Sequence, residues 1–315
     1  MRISVAICTW NRASSLAQTL QSVQVARSNA RSPVEVIVVN NNCSDTTDEV
    51  LARLARRIPV VRVFEPRPGL SHARNAAIEA ATGDYIVWTD DDVDVDAGWL
   101  AAYEAAFAAH PMASFYGGPI VPLFEGDPPA WLTEAWSSVS DAYAGRNLGS
   151  AERELSCERL PYGANFAVRC REQKLRPFDP RFGRRPDDYW LIGEESHLMR
   201  GLLDDGHSGW WVPGACVQHR ISADRQTLDY LQHYFEGMGR TILLESRLRG
   251  EASRQGLPTD ALQRWLRAEV RCLWLRLTSP PERWVPKMAE RSIARGWIEA
   301  WLRRDGARPR DFRVD

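Results

Sequence analysis

Four short apolar runs, at residues 3–8, 34–39, 60–64 and 85–89, punctuate the start of the chain, with an amphipathic or polar stretch between each and the next. Runs of this length, rich in Val and Ile, read as strands, the first of them buried. Over 14–25, Leu16, Leu20 and Val23 recur at helical spacing. Thr46-Thr47-Asp48-Glu49 has the pattern of a capping box and marks a second helix. A third is read over 69–81, with Ser71 near its N-cap. Strand and helix alternating in this way predict an α/β fold, a mainly parallel sheet flanked by helices. In such sheets ligands bind at the carboxyl ends of the strands, so the polar residues after each strand are the ones that matter.

The remaining chain is less regular. Residues 122–160, rich in Pro, Ser and Glu with Trp131 and Trp136, read as a long excursion outside the sheet, of the kind that forms lids or binding loops. A strand is expected over 163–169, a helix over 195–203 with Leu198, Leu202 and Leu203 facing inward, and a return to the sheet over 210–217. After His219 the pattern is helical, with breaks at Pro258 and at Pro280-Pro281. This divides the chain into an α/β domain over 1–220 and a helical C-terminal extension over 221–315. Within the extension, 260–278 is amphipathic: Leu262, Trp265, Leu266, Val270, Leu273 and Leu277 share one face, with Arg264, Arg267 and Arg271 opposite. A Trp- and Arg-bearing stretch over 284–304 repeats the character. Three uses remain open for these helices: packing on the first domain, packing across a homodimer, or contact with anionic lipid as a peripheral segment over 260–304.

Composition excludes whole classes. The 315 residues carry 40 Lys+Arg against 41 Asp+Glu, and 44% are hydrophobic. Disorder, a collagen-like chain and a basic nucleic-acid-binding coat are ruled out, and nucleic acid is not an expected partner. The near-neutral sum conceals a division: 221–315 has 18 Lys+Arg and 13 Asp+Glu, whereas 1–220 has 22 and 28. Six scattered cysteines without a CxxC pair, and no apolar run long enough for a signal or a membrane span, lead to the expectation of a cytoplasmic protein, with attachment to the inner face of a membrane left open. All basic residues except Lys174 and Lys287 are Arg, and 13 are Trp; both favour flat, bidentate or stacking contacts with phosphates and sugars.

Asp90-Asp91-Asp92 directly follows the fourth strand. Three carboxylates at one strand end repel one another unless a cation neutralises them, which suggests a divalent metal site; a solvated acidic turn is the alternative. Thr9, Asn11 and Arg12 after the first strand, and Asn40 and Asn42 after the second, can hydrogen-bond a nucleotide or simply serve turns. Neither loop has a Walker or dinucleotide glycine fingerprint. Arg74 and Asn75 lie in the first turns of a helix, where an anion can be met or an ordinary cap formed. Glu194-Glu195 starts another helix and offers a general base or a favourable pairing with the helix dipole. His219 can be a metal ligand or a structural histidine.

In order along the chain, the segments 5–12, 38–45, 69–75, 83–92, 163–165, 193–195 and 217–219 resemble the family-2 glycosyltransferases of the GT-A fold, a Rossmann-like, mainly parallel mixed sheet flanked by helices. The resemblance implies an inverting enzyme with a nucleotide-diphosphate sugar donor, UDP being the expected nucleotide, and Mn²⁺ or Mg²⁺ as cofactor. The acceptor would be a glycan, a lipid-linked or a small-molecule hydroxyl, in bacterial polysaccharide or glycoconjugate biosynthesis. By the same resemblance Thr9, Asn11, Arg12, Asn40, Asn42, Arg74, Asn75, Asp90, Asp91 and Asn165 would bind the donor. Asp92, Asp90 and His219 would serve the metal, and Glu195, tuned by Glu194, would be the base. The family's usual Asp is replaced by Asn40. A sugar nucleotidyltransferase would be expected to carry a Gly-rich basic loop where this chain has Thr9-Trp10-Asn11-Arg12, and a non-catalytic glycan or nucleotide-sugar binder would not need a carboxylate at Glu195.

Overall fold

The structure, a computed structural model, describes residues 1–55, 57–251 and 259–303. The break expected at Pro258, the side chains of Asp260 and Arg264, and Arg304 lie outside the described residues. The predicted alternation appears as β1 (Ile3–Thr9), α1 (Ala13–Asn29), β2 (Val34–Asn40), α2 (Thr47–Leu54), β3 (Val60–Phe64), α3 (Leu70–Ala80) and β4 (Tyr85–Asp90). Then come β5 (Val93–Val95), α4 (Trp99–Ala109), β6 (Phe115–Gly117), β7 (Ile120–Phe124), α5 (Ala130–Glu134), α6 (Trp136–Val139), β8 (Arg153–Glu154), β9 (Asn165–Arg169) and α7 (Cys170–Leu175). The chain continues through α8 (Glu194–Asp204), β10 (Gly209–Trp211), β11 (Val217–Ile221), α9 (Leu228–Leu248), α10 (Thr259–Thr278) and α11 (Pro281–Leu302).

Eight strands form one sheet in the order β3-β2-β1-β4-β9-β6-β10-β8, and β5-β11-β7 form a second. The first four are parallel; β9 runs antiparallel to β4 and β6, which makes the sheet mixed. Alternation of side chains along each strand builds two cores. Ile3, Val5 and Ile7 of β1 join Leu16, Leu20 and Val23 of α1 and Trp99, Tyr103 and Phe107 of α4. Ala6, between them, faces the other core with Ala73, Ala77 and Ile78 of α3 and Leu198, Met199 and Leu202 of α8. The chain reverses from β3 back to β4, so the crevice beyond β1 and β4 lies where the strand order switches. Register places Cys8 opposite Asp90 and Thr9 opposite Asn40, gathering three predicted loops at one edge.

Several local expectations change. Thr46 makes no side-chain cap; Asp45 accepts instead from the Thr47 N–H at 3.1 Å and its hydroxyl at 2.5 Å, a carboxylate being the stronger acceptor. Gly69, not Ser71, caps α3: its φ of 131° suits glycine, and its N–H donates to Asn41 Oδ1 at 2.9 Å. The excursion over 122–160 is partly structured, because β8 pairs with β10 at the sheet edge. The run 210–217 is split between the two sheets, with Pro213 and Gly214 interrupting it.

Two compact units emerge. One comprises Met1–Leu123, Tyr143–Arg181 and Glu194–Ile221 and carries the cores just described; the other comprises Phe124–Ala142, Phe182–Gly193 and the described residues from Ser222 on. In the second unit α9 and α11 cross at glycines: a Cβ on Gly239 would lie 2.0 Å from Ile293 O, and one on Gly296 1.9 Å from Glu236 O. α10 meets α11 through Glu269, 3.6 Å from Arg291, and through Arg276, which lies 5.4 Å from the centre of the Trp284 ring. Among the described residues no helix is long and apolar enough to cross a membrane.

Candidate active site

The acidic triplet divides into one exposed and two inward carboxylates. Asp90, at the end of β4, keeps 37% of its side chain exposed, against 6% for Asp91 and 10% for Asp92. Asp91 is an anchor: its Oδ2 accepts from Thr9 Oγ1 at 2.7 Å and its Oδ1 from Arg12 Nη1 at 3.1 Å. Its main-chain carbonyl accepts from Ser15 Oγ and Thr19 Oγ1, both at 2.9 Å, and from Arg220 Nη2 at 3.4 Å. Burial pushes the Asp91 carboxyl up to about 6, against the pull of Arg12 and with the charge of Asp92 adding to the rise. Asp91 therefore holds the turn through both its carboxylate and its carbonyl. Arg220, ion-paired with Asp94 and bonded to Ser15 and Thr19, braces the same turn. Its only sequence signal is its place beside His219.

Asp92 and His219 form the second cluster. His219 Nε2 lies 3.3 Å from Asp92 Oδ1, and Arg12 Nη1 lies 2.7 Å from Asp92 Oδ2. His219 Nδ1 lies 2.8 Å from the Tyr143 carbonyl. A carbonyl only accepts, so Nδ1 carries a proton, which leaves Nε2 as the atom turned toward Asp92 and, in the neutral ring, as the one bearing the lone pair. Two such acceptors face each other comfortably only across a cation or a proton. Imidazole Nε2 with Nδ1 tied to a carbonyl, beside a carboxylate, is a donor set suited to a divalent ion. Among the described residues no three His, Cys, Asp or Glu side chains close around one point, so water or substrate oxygens would have to complete the coordination.

Arg74 is the third focus. Only 2% exposed, it lies 2.7 Å from Glu194 Oε1 and 3.5 Å from Asp90 Oδ1, and donates to the Gly163 carbonyl at 3.3 Å. Its guanidinium carbon lies 5.2 to 5.8 Å from the ring centres of Phe178, Phe166 and Trp88. Arg74 is thus a buried cation linking α3, the end of β4 and the start of α8. Glu194 is committed to it. Glu195 is only partly buried, and its Oε1 accepts from the Gly163 N–H at 3.2 Å. Burial, then the charge of Glu194, push the Glu195 carboxyl up to about 8 despite Arg74.

The asparagines are largely structural. Asn165 is fully buried: Oδ1 accepts from Trp99 Nε1 and Tyr103 Oη, and Nδ2 donates to the carbonyls of Pro119 and Ala215. Both ends of its amide are thus engaged within the fold, between α4, the Pro119 turn and Ala215. Asn75 likewise exchanges both amide bonds with the backbone of Phe178. Asn11 and Asn42 take positive φ of 53° and 61°, the turn conformation that Asn tolerates, and Asn11 Oδ1 accepts from Ser44 N–H at 2.7 Å. Asn40 Oδ1 accepts from Cys43 N–H, while its Nδ2 donates to Asp48 Oδ1 at 2.9 Å. Asp48, which sequence reasoning passed over as a capping residue, restores a carboxylate where the chain has Asn40.

The glycosyl transferase family 2 profile matches residues 4–157. The succinoglycan biosynthesis protein ExoM of Rhizobium meliloti is 28% identical over 236 residues, which is 73% of this chain and 71% of that protein. The pre-mycofactocin glycosyltransferase of Mycobacterium tuberculosis is 29% identical over 48% of this chain and 30% of its own length. Among solved structures, the mannosyltransferase PcManGT of Pyrobaculum calidifontis, in complex with GDP-Man and Mn²⁺, superposes with a TM-score of 0.52 at 18% identity, covering 95% of this chain and 73% of that one. Glucosyl-3-phosphoglycerate synthase of Mycobacterium tuberculosis, in complex with Mn²⁺, UDP and phosphoglyceric acid, also gives 0.52 at 18% identity, covering 80% and 79%.

Proposed function

We propose that the chain, whose residues 4–157 match the glycosyl transferase family 2 profile and whose fold is GT-A, is a member of that family and moves a sugar from a nucleoside diphosphate, UDP being the expected nucleotide, to a hydroxyl acceptor with inversion. The observation that carries the reading is Glu195, a partly buried carboxylate at the start of α8 with one oxygen held by the Gly163 N–H and its basicity raised. Glu195 Oε2 takes the acceptor proton as the hydroxyl oxygen attacks the anomeric carbon from the face opposite the diphosphate. The bond from that carbon to the diphosphate oxygen breaks, and the diphosphate leaves with the electron pair. Arg74 holds Glu194 in place, and the charge of Glu194 keeps Glu195 basic. Asp92 and His219, completed by water or substrate oxygens, would hold Mn²⁺ or Mg²⁺, with the exposed Asp90 facing the ribose or a metal-bound water; the ion when bound supplies positive charge toward the departing diphosphate. Nucleotide and Mn²⁺ in the two solved relatives of this fold support the reading.

Every residue given a role here lies in 1–220, which we take as the catalytic domain, with 221–315 as its helical extension. A glycan, lipid-linked or small-molecule hydroxyl remains the acceptor class, and the name of the Rhizobium relative supports polysaccharide biosynthesis. Peripheral association with the inner face of a membrane is part of the reading; homodimerisation is the competing use of the same helices. Replacing Glu195 with Gln tests the proposal. Transfer is expected to fall by roughly a hundredfold to ten-thousandfold, while metal-dependent thermal stabilisation by the donor is retained; transfer at the parental rate overturns the assignment.

A further inference from the structure

Among the described residues α10 packs by one side and leaves its apolar side exposed. Ala268 and Cys272 are buried. Leu262, Leu266, Val270, Leu273 and Leu277, spaced by three or four residues, are 40%, 49%, 67%, 56% and 88% exposed, with Trp274 beside them at 64%. By helical spacing Arg267 and Arg271 lie along one flank of this stripe and Arg276 along the other, and all three are exposed. The arginines therefore flank the apolar face instead of opposing it. Glu269, the one acidic residue of α10 whose side chain is described, turns to Arg291.

We propose that α10 docks on an anionic lipid bilayer, its leucine stripe entering the boundary between headgroups and acyl chains while Arg267, Arg271 and Arg276 meet lipid phosphates. This deepens the peripheral association of the proposed function by naming the surface and the lipid charge. Charge decides between a bilayer and a second copy. Pairing stripe against stripe in antiparallel helices sets Arg267 and Arg271 against their own equivalents, and parallel pairing sets them against Arg276. Both place cation against cation, whereas anionic headgroups complement both flanks. The excess of Lys+Arg over Asp+Glu in 221–315, 18 against 13, has the same sign.

The test is flotation of the full chain with vesicles of equimolar phosphatidylglycerol and phosphatidylcholine, and with phosphatidylcholine alone. Binding to the anionic vesicles is expected to exceed that to the neutral ones by about fivefold for each engaged arginine and to weaken as salt rises. The triple variant Leu266→Ser, Val270→Ser, Leu273→Ser changes only exposed positions, and thermal unfolding checks that it is folded. Its partitioning is expected to drop roughly tenfold or more. Arg267→Gln with Arg271→Gln is expected to remove most of the preference for anionic vesicles. The proposal is overturned if the full chain does not float with anionic vesicles, or if the triple variant floats as the parent does. It is equally overturned if a concentration-dependent dimer forms and the triple variant abolishes it while vesicles are ignored. Donor hydrolysis without vesicles, expected to be unchanged in the triple variant, keeps failure of the lipid surface distinct from failure of the glycosyl-transfer reading.

Discussion

Glu194 and Glu195, identical side chains side by side, part company through their neighbours: Arg74 holds the first and the Gly163 N–H the second. Because the Glu195 carboxyl stands at about 8 and must be ionised to act, kcat/KM is expected to rise with pH and level off above that value, as measured in a pH–rate profile. The same shift bears on stability. The folded state holds the Glu195 proton more tightly than the unfolded chain, so its contribution is present at acid pH and is lost as pH rises from the ordinary carboxylate range through about 8. The melting temperature of Glu195→Gln is therefore expected to gain on that of the parent over that window. Arg74→Met would leave Glu194 buried without its cation, and denaturant unfolding is expected to register a loss of about 3–5 kcal/mol, much of it recovered when Glu194→Gln is added. None of this pairing was legible locally, since Arg74 and Glu194 stand 120 residues apart. The acidic triplet stood out because it follows the fourth apolar run and Asp90 ends β4; His219 was expected after a strand, whereas it lies inside β11, whose polar alternation hides it from an apolar-run reading. The full burial of Asn165 was not legible, because a buried amide and an exposed one look alike in a sequence.

At the level of elements, what could be read followed from periodicity, and what could not depended on which partner each face meets. The first four strands and three helices came through because their apolar spacing has one consistent solution. α10 also came through as a helix, but its spacing could not say that the side bearing Ala268 and Cys272 would be the buried one. The crossing of α9 and α11 was equally silent: Gly239 and Gly296 carry no periodic signal, yet each meets a backbone carbonyl. Gly296→Ala must push the helices apart, and overpacking of this kind is expected to cost about 1–3 kcal/mol, read as a lowered melting temperature. Gly126→Ala, with open space around it but a φ of 67°, separates local backbone strain from the crossing: it should destabilise less.

At the scale of the whole molecule, ligand binding is expected to act first on the unit that contains Asp92 and His219. Mn²⁺ with UDP at a hundredfold excess over its dissociation constant is expected to add about 2.7 kcal/mol to the unit holding Asp92 and His219. Calorimetry should show that unit's transition rise and EDTA return it, with the transition of the helical unit unmoved if the two melt separately. The turn at Asp91 has a wider consequence. Its carbonyl is bonded to Ser15, Thr19 and Arg220, and Arg220 stands 205 positions from Ser15. During synthesis the first 157 residues deliver the acidic triplet and Thr9, but neither Glu195 nor His219 nor the arginine that clamps the turn. The turn is therefore complete only after the chain beyond Arg220 has been made and has folded back, so the acidic triplet, made early, takes its final shape late in synthesis.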